Sequence, residues 1–110
     1  MRLNLKRALQ KLISRRKSAP KRRLELTVVD QLALRSLFLM DSGEEDSIVS
    51  MVLDERPSTI PHEVPASLRK LALFRLVEQI EGGRYRVSRK GRELRRVIPE
   101  RPGVNIDYYG

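Results

Sequence analysis

Hydrophobic residues recur at two different periods along this chain, and the change of period marks its elements. Leu71 and Ala72 follow Leu68 by three and four residues, as on one face of a helix. Residues 76–80 form a short extended run, residues 84–87 alternate charged with apolar side chains, and Gly82-Gly83 supplies a turn between them. The pattern predicts a helix followed by a two-stranded hairpin, with Tyr85 facing inward and the arginines beside it facing outward.

Two helices are predicted in front of this hairpin. The first begins with a capping-box pattern, since Thr27 is followed three residues later by Asp30, and it ends near Ser42-Gly43. This is expected to be the first core helix, because it is strongly apolar, with Val28, Leu32, Leu34, Leu37, Phe38 and Leu39. The second begins at the acidic residues 44–46, which a helix N-terminus favours, so these acids are assigned no further function. Its expected buried residues are Ile48, Val49, Val52 and Leu53.

A turn over residues 56–60 leads into the third helix, to which residues 68–74 belong. This helix should not begin much before His62, because Pro65 is tolerated only within a first helical turn. Ser88 is well placed to cap a fourth helix that runs to Ile98. The predicted fold class is therefore α+β and mostly helical, with three core helices, a two-stranded wing and a C-terminal helix.

Several residues of this helix, hairpin and helix match a known family. They are Leu68, Leu71, Leu76-Val77, Gly82-Gly83-Arg84-Tyr85 and Lys90-Gly91. In them the chain resembles the winged helix-turn-helix superfamily, whose repressor-like members are DNA-binding transcription regulators. The resemblance extends back to about Thr27 and implies a recognition helix in the major groove and a wing on the DNA backbone or minor groove. Arg75 departs from this resemblance, because members of the superfamily often carry glycine at that position. A bulky residue there predicts either a left-handed backbone conformation or a different end of the helix.

Charge is strongly segregated along the chain, which has 110 residues and a net charge of +9. Residues 1–23 hold ten Lys and Arg and no acid, whereas residues 24–81 hold five against eleven acids. Residues 82–98 hold seven Lys and Arg against one acid, and the last twelve residues hold one against two. A basic start and a basic wing thus bracket an acidic middle, which is the pattern expected of a protein that binds a polyanion at two edges.

The predicted domain, residues 24–98, lies between two extensions. Residues 1–23 predict a basic amphipathic helix and a linker. Four roles remain open for that helix: packing on the domain or on a second copy, an arm along DNA phosphates, contact with an anionic membrane surface, or an organelle transit peptide. Residues 99–110 form a C-terminal tail that either packs on the domain or a partner or is disordered.

Chemistry-bearing residues are few. A single His and no Cys argue against a transition-metal site and exclude disulfides. The sequence offers no nucleophile and base pair at a specific spacing and no glycine loop that would cradle phosphate, so we expect a non-enzyme without a cofactor. No apolar run approaches the ~18 residues that span a membrane. The expected location is the cytoplasm, associated with the nucleoid, with organelle import as an alternative.

The resemblance places two sets of residues on DNA. Those implied to face the groove are His62, Ala66, Arg69 and Lys70, together with Glu63 and Pro65, and those implied to contact phosphate are Arg84, Arg86, Arg89 and Lys90. Because amides that read adenine are absent from the groove-facing set, we expect binding to be dominated by phosphate contacts. The predicted function is a duplex-DNA-binding transcription regulator, with a homodimer as its expected form. The alternatives are a winged-helix protein-interaction module, docking partners through its acidic middle and its N-terminal helix, and a binder of structured RNA.

Overall fold

A computed structural model of the protein describes residues 23–109 as an α+β arrangement of four helices and two small antiparallel sheets. The elements are β1 (Arg23–Leu26), α1 (Val28–Met40), β2 (Ser42–Glu44), α2 (Glu45–Glu55), α3 (Glu63–Leu73), β3 (Val77–Ile80), β4 (Arg84–Val87), α4 (Arg89–Arg92) and β5 (Ile106–Tyr109). Short 3-10 turns cover Glu81–Gly83 and Glu93–Arg96. The predicted α+β class is confirmed. The predicted basic helix and linker lie outside the described residues, apart from Arg23, which begins β1.

Helix α1 begins at the predicted capping box. The Thr27 hydroxyl accepts a hydrogen bond from the Asp30 backbone N–H at 3.2 Å, and Asp30 Oδ2 accepts one from the Thr27 backbone N–H at 2.9 Å. These two bonds satisfy donors that a helix N-terminus otherwise leaves unpaired. Not every apolar residue of this core helix is buried, since the Leu39 side chain is 69% exposed. Leu37 is buried, and two residues of helical rotation, about 200°, carry Leu39 to the opposite face.

One hydrophobic core receives side chains from α1, α2 and α3, from β1, β3 and β4, and from the 3-10 turn Glu93–Arg96. Helix α1 packs against both α2 and α3, and the two sheets flank this group of helices. The largest fully buried apolar side chains are Leu26, Leu34, Leu37, Ile48, Leu68, Leu71, Leu76 and Leu94. In α2 the buried face is narrower than predicted, since Ile48 and Val52 are fully buried whereas Val49 and Leu53 are half-buried.

The predicted hairpin is present, but it belongs to a three-stranded sheet. Strands β3 and β4 pair antiparallel, and Gly82 and Gly83 between them both have positive φ angles, of 74° and 70°. Strand β2 pairs with the other edge of β4, with Gly43 opposite Tyr85, so the strand order is β2-β4-β3. The prediction of a two-stranded wing therefore missed one strand, because three residues between two helices are too few to show an alternating pattern.

The C-terminal segment packs on the domain, which was one of the two outcomes left open for it. Strand β5 pairs antiparallel with β1 in a second, two-stranded sheet. Just before β5, Asn105 Oδ1 accepts a hydrogen bond from the Val28 backbone N–H at 3.2 Å. Gln31 Nε2 donates to the Val104 carbonyl at 2.8 Å. The end of the described chain is thus tied to the first turns of α1.

The fourth helix is shorter than predicted. Ser88 caps it as expected, since its hydroxyl accepts a hydrogen bond from the Gly91 backbone N–H at 3.0 Å. The α-helical part ends at Arg92, however, and continues as the 3-10 turn Glu93–Arg96 instead of reaching Ile98 as one helix. Of the two alternatives left open for Arg75, the structure has the left-handed residue, with a φ of 60°.

Candidate nucleic-acid interface

The outer face of α3 is a narrow stripe. Among the residues of this helix only Ala66, Arg69 and Leu73 are exposed rather than buried or half-buried, and Leu73 is 82% exposed. At about 100° of rotation per residue these three side chains lie within an arc of about 60°, and His62, just before the helix, continues the same line. The opposite face is buried and consists of Val64, Ser67, Leu68 and Leu71. We call His62, Ala66, Arg69 and Leu73 the α3 stripe.

Lys70 lies beside the α3 stripe, but its ammonium group contacts the protein itself. The Nζ atom lies 2.6 Å from Asp30 Oδ2 and 2.7 Å from the Glu25 carbonyl oxygen. Asp30 is only 2% exposed and also accepts a hydrogen bond from the Ser67 hydroxyl. A DNA contact by Lys70 would therefore compete with the neutralisation of a buried carboxylate, which is costly to leave without its partner.

The two wing arginines face outward as predicted, while Tyr85 and Val87 between and beside them are buried. Arg84 donates to the Ser42 hydroxyl at 2.9 Å. Arg86 Nε lies 2.9 Å from Glu78 Oε2 on the neighbouring strand, and about half of each of these two side chains is exposed. An ion pair this exposed contributes little to stability, so a phosphate group can compete for Arg86.

Five exposed arginines follow one another from β4 to the end of the 3-10 turn. We call Arg86, Arg89, Arg92, Arg95 and Arg96 the arginine surface. The first three line one hollow of about 410 Å³ together with Glu78. Arg92 also lines a second hollow with Arg95 and Asp41 and a third with Arg96 and Glu93, so it is the residue that the three hollows share.

The last four members of the arginine surface are unpaired within the described part of the chain. The ion pairs formed by residues 23–109 are Arg23 with Asp107, Lys70 with Asp30 and Arg86 with Glu78. Arg89, Arg92, Arg95 and Arg96 thus present exposed guanidinium groups without a carboxylate partner in residues 23–109. Such groups match the oxygens of phosphate well, because a guanidinium donates two parallel hydrogen bonds.

Lys90 was expected on phosphate with Arg89, but the structure places it apart. It is half-buried, and its ammonium lies 5.9 Å from the centre of the Tyr108 ring in β5, within the range of a cation–π contact. Burial of the Tyr108 hydroxyl, and secondarily the charge of Glu93, raise the pKa of this tyrosine. Lys90 therefore joins α4 to the two-stranded sheet.

The sequence reasoning did not single out Arg92, Arg95 and Arg96, although it recognised the basic charge of residues 82–98. The available signal was the spacing of Arg89, Arg92 and Arg96, which are three and four residues apart and so share one helical face. The residues that carry the resemblance end at Lys90-Gly91, before these three arginines.

No family model, no curated protein and no solved structure matches this chain. Within the part of the chain that the structure describes, no helix is long and apolar enough to cross a membrane. The same residues contain no group of three acidic or histidine side chains placed to hold a metal ion. The candidate interface consists of the α3 stripe, the wing and the arginine surface.

Proposed function

We propose that this protein is a winged-helix transcription regulator that binds duplex DNA. The order of elements supports the winged-helix assignment: α1, β2, α2 and α3 are followed by the hairpin β3–β4, and β2 completes the sheet on the far edge of β4. Residues 56–62 form the connection between α2 and α3, as the turn of a helix-turn-helix does. In this assignment α3 is the recognition helix and β3–β4 is the wing.

The observation that carries the proposal is the convergence of Arg86, Arg89 and Arg92 on one hollow. Glu78 pairs with Arg86 in this hollow, so the positive charge without a carboxylate partner in residues 23–109 is that of Arg89 and Arg92. A phosphate group placed between these two guanidinium groups removes their mutual repulsion. Each phosphate neutralised in this way also releases counterions from the DNA, which favours binding at low salt. Arg95 and Arg96 continue the exposed positive charge beyond this hollow, where they would contact further phosphate groups of the DNA.

The α3 stripe supports binding that depends more on phosphates than on bases. Arg69 is the exposed cation of α3, and Lys70 beside it is half-buried and contacts Asp30. Base-edge hydrogen bonding through this helix is therefore limited to a few donors. Two copies of the protein on one duplex would extend the sequence that is read, as in dimeric helix-turn-helix regulators, so the proposal includes a homodimer on DNA.

The test is fluorescence anisotropy of the full chain with a labelled random duplex over a series of salt concentrations. The variant carries Arg89→Ala and Arg92→Ala, and the matched control carries Arg56→Ala and Arg101→Ala, two exposed arginines that line a different hollow. Wild type and control should bind with the same salt dependence. The Arg89 and Arg92 variant should lose about 1.8 from the slope of log affinity against log salt, at about 0.9 for each phosphate contact.

All three proteins contain the same basic residues 1–22, so a difference between the variant and its control belongs to the arginine surface. Equal slopes in the two double variants would contradict the role of that surface. Absence of duplex binding by the wild type at ~150 mM salt would contradict the proposed function itself. Parallel titrations with a labelled RNA hairpin identify an RNA-binding protein, which would bind the hairpin in preference to the duplex.

A protein-interaction module is the second candidate, and one observation favours it. Residues 41–55, which include β2 and α2, carry six acids and no Lys or Arg. Most of these acids are exposed, and they suit a basic partner protein. Wild-type protein that binds no nucleic acid in the titrations above would favour this function.

A further inference from the structure

The composition of the α3 stripe points to the kind of base pair that it contacts. We infer that Ala66 and Leu73 contact thymine methyl groups on either side of a guanine that Arg69 binds; this inference rests on the proposed DNA-binding function. The three residues are the exposed positions of α3, so they are the side chains of this helix most accessible to a groove.

Two of these side chains end in methyl groups and have no hydrogen-bonding atoms. In the major groove of DNA the thymine C5 methyl is the apolar group, whereas the other base edges present hydrogen-bond donors and acceptors. An apolar side chain placed against a guanine or adenine edge would leave those polar groups without a partner, which is unfavourable. Ala66 and Leu73 therefore favour thymine over the other three bases at the positions they cover.

Arg69 lies between them and has a different preference. Its exposed guanidinium forms no ion pair within residues 23–109, so it is available to donate two hydrogen bonds to guanine O6 and N7. Lys70, the next residue, binds Asp30 and does not add a second cation to the stripe. The stripe thus presents one donor group flanked by two apolar contacts.

The spacing of the stripe sets the length of the sequence that it reads. Leu73 follows Ala66 by seven positions, which corresponds to about 10.5 Å along the helix axis at about 1.5 Å per residue. At about 3.4 Å per base pair this distance spans about three base-pair steps. The expected element is a guanine within about two base pairs of a thymine methyl group on each side.

The experiment begins with selection of bound duplexes from a random library by the full chain. The selected duplex is then synthesised with thymine or with deoxyuridine, which lacks the C5 methyl group, and the affinity of each is measured by fluorescence anisotropy. Each lost methyl contact should weaken binding about fourfold, so the deoxyuridine duplex should bind about tenfold or more weakly.

Two variants assign this effect to α3. Leu73→Ser should reduce the ratio between thymine and deoxyuridine affinities by about fourfold, because one of the two methyl contacts is gone. Leu39→Ser is the matched control: Leu39 is another strongly exposed leucine, on α1, and its replacement should leave the ratio unchanged. Comparing ratios also cancels any effect of deoxyuridine on the shape of the duplex, since the DNA is the same for every protein.

The outcomes separate this inference from the proposed function. Equal affinity of the wild type for the two duplexes would overturn the inference while leaving DNA binding intact. A ratio that is unchanged in Leu73→Ser would overturn the assignment to the α3 stripe. If the wild type binds no duplex, the proposed function fails and the inference fails with it.

Discussion

Lys70 and Asp30 form an ion pair of 2.6 Å in which the carboxylate side chain is 3% exposed and the lysine side chain 34% exposed. The pair joins α3 to the first turn of α1, and the second bond of the ammonium, to the Glu25 carbonyl, adds β1 to the same connection. A lysine predicted to contact DNA thus holds three elements of the domain together.

Lys70→Met should destabilise the domain by about 3 kcal/mol, because it leaves the buried Asp30 carboxylate without its cation. This value is at the lower end of the range for broken buried pairs, since Asp30 keeps its hydrogen bonds from Thr27 and Ser67. Urea unfolding followed by circular dichroism measures the change. Arg69→Met removes a neighbouring exposed cation and should change stability by less than about 0.5 kcal/mol. Equal effects of the two substitutions would show that the ion pair is not the cause.

Gly91→Ala should destabilise the domain by about 2 to 3 kcal/mol. A Cβ at this position would collide with the Leu76 carbonyl oxygen and would lie 2.8 Å from Val87 Cγ1, so α4 would have to move away from the strands. Gly103→Ala is the control, because a Cβ there has no neighbouring atom within 4 Å. Thermal unfolding of both variants compares them, and a neutral Gly91→Ala would contradict the close packing of α4.

Arg75→Gly should stabilise the domain by about 0.5 to 1 kcal/mol. Arg75 has a φ of 60°, and the left-handed region costs residues other than glycine about 1 kcal/mol or more. The same change at Arg69, an exposed residue within α3, should destabilise by about 1 kcal/mol, because glycine disfavours a regular helix. Chemical denaturation should show a higher free energy of unfolding for Arg75→Gly and a lower one for Arg69→Gly. A loss of stability in both variants would argue against strain at Arg75.

Glu78→Gln should strengthen duplex binding and steepen its salt dependence by up to about 0.9. The substitution releases Arg86 from its 2.9 Å ion pair and leaves its guanidinium to phosphate. Glu81→Gln makes the same change of charge in the turn of the hairpin, where Glu81 forms no ion pair with residues 23–109, and should have the smaller effect. The anisotropy titration measures both variants, and equal effects would indicate a general change of charge rather than the release of Arg86.

Tyr108 should make the domain less stable at high pH. Burial and the nearby Glu93 raise the pKa of Tyr108 above its ordinary value of about 10, so the folded state holds the phenol proton more tightly than the unfolded state does. This contribution to stability is present below pH ~10 and is lost as the pH rises through the folded pKa. Ultraviolet absorbance titration of wild type and Tyr108→Phe, taken as a difference, should show Tyr108 ionising above pH 10. A difference curve centred below 10 would contradict this prediction.

The local features of the fold were predictable from sequence. The Thr27 capping box, the Gly82-Gly83 turn and the Ser88 cap each depend on groups a few residues apart. Their geometry follows from short-range hydrogen bonds and from the freedom of glycine at positive φ, which residue type alone determines. At Arg75 the resemblance left a left-handed residue and a different helix end as alternatives, and only the structure, with a φ of 60°, decides between them.

The strand pairings that complete the two sheets were not predictable in this way. Strand β2 has three residues and pairs with β4 far along the chain, while β1 and β5 pair across almost the whole described length. A two-stranded sheet of this size gains its stability from packing, here of Leu24 and Leu26 in the core. No local periodicity reveals which distant segment supplies the partner.

In the candidate interface, too, some features were determined by the sequence alone and others only by the tertiary structure. The sequence by itself determined that residues 82–98 are rich in cations and that Arg69 and Lys70 follow each other on one helix. Only the tertiary structure decided that Lys70 binds the buried Asp30 while Arg69 remains exposed. It likewise decided that Lys90 lies over the Tyr108 ring and that Arg92 lines three hollows. Residue type sets the charge of a side chain, but one residue of helical rotation, about 100°, decides whether that charge meets a buried carboxylate or the solvent.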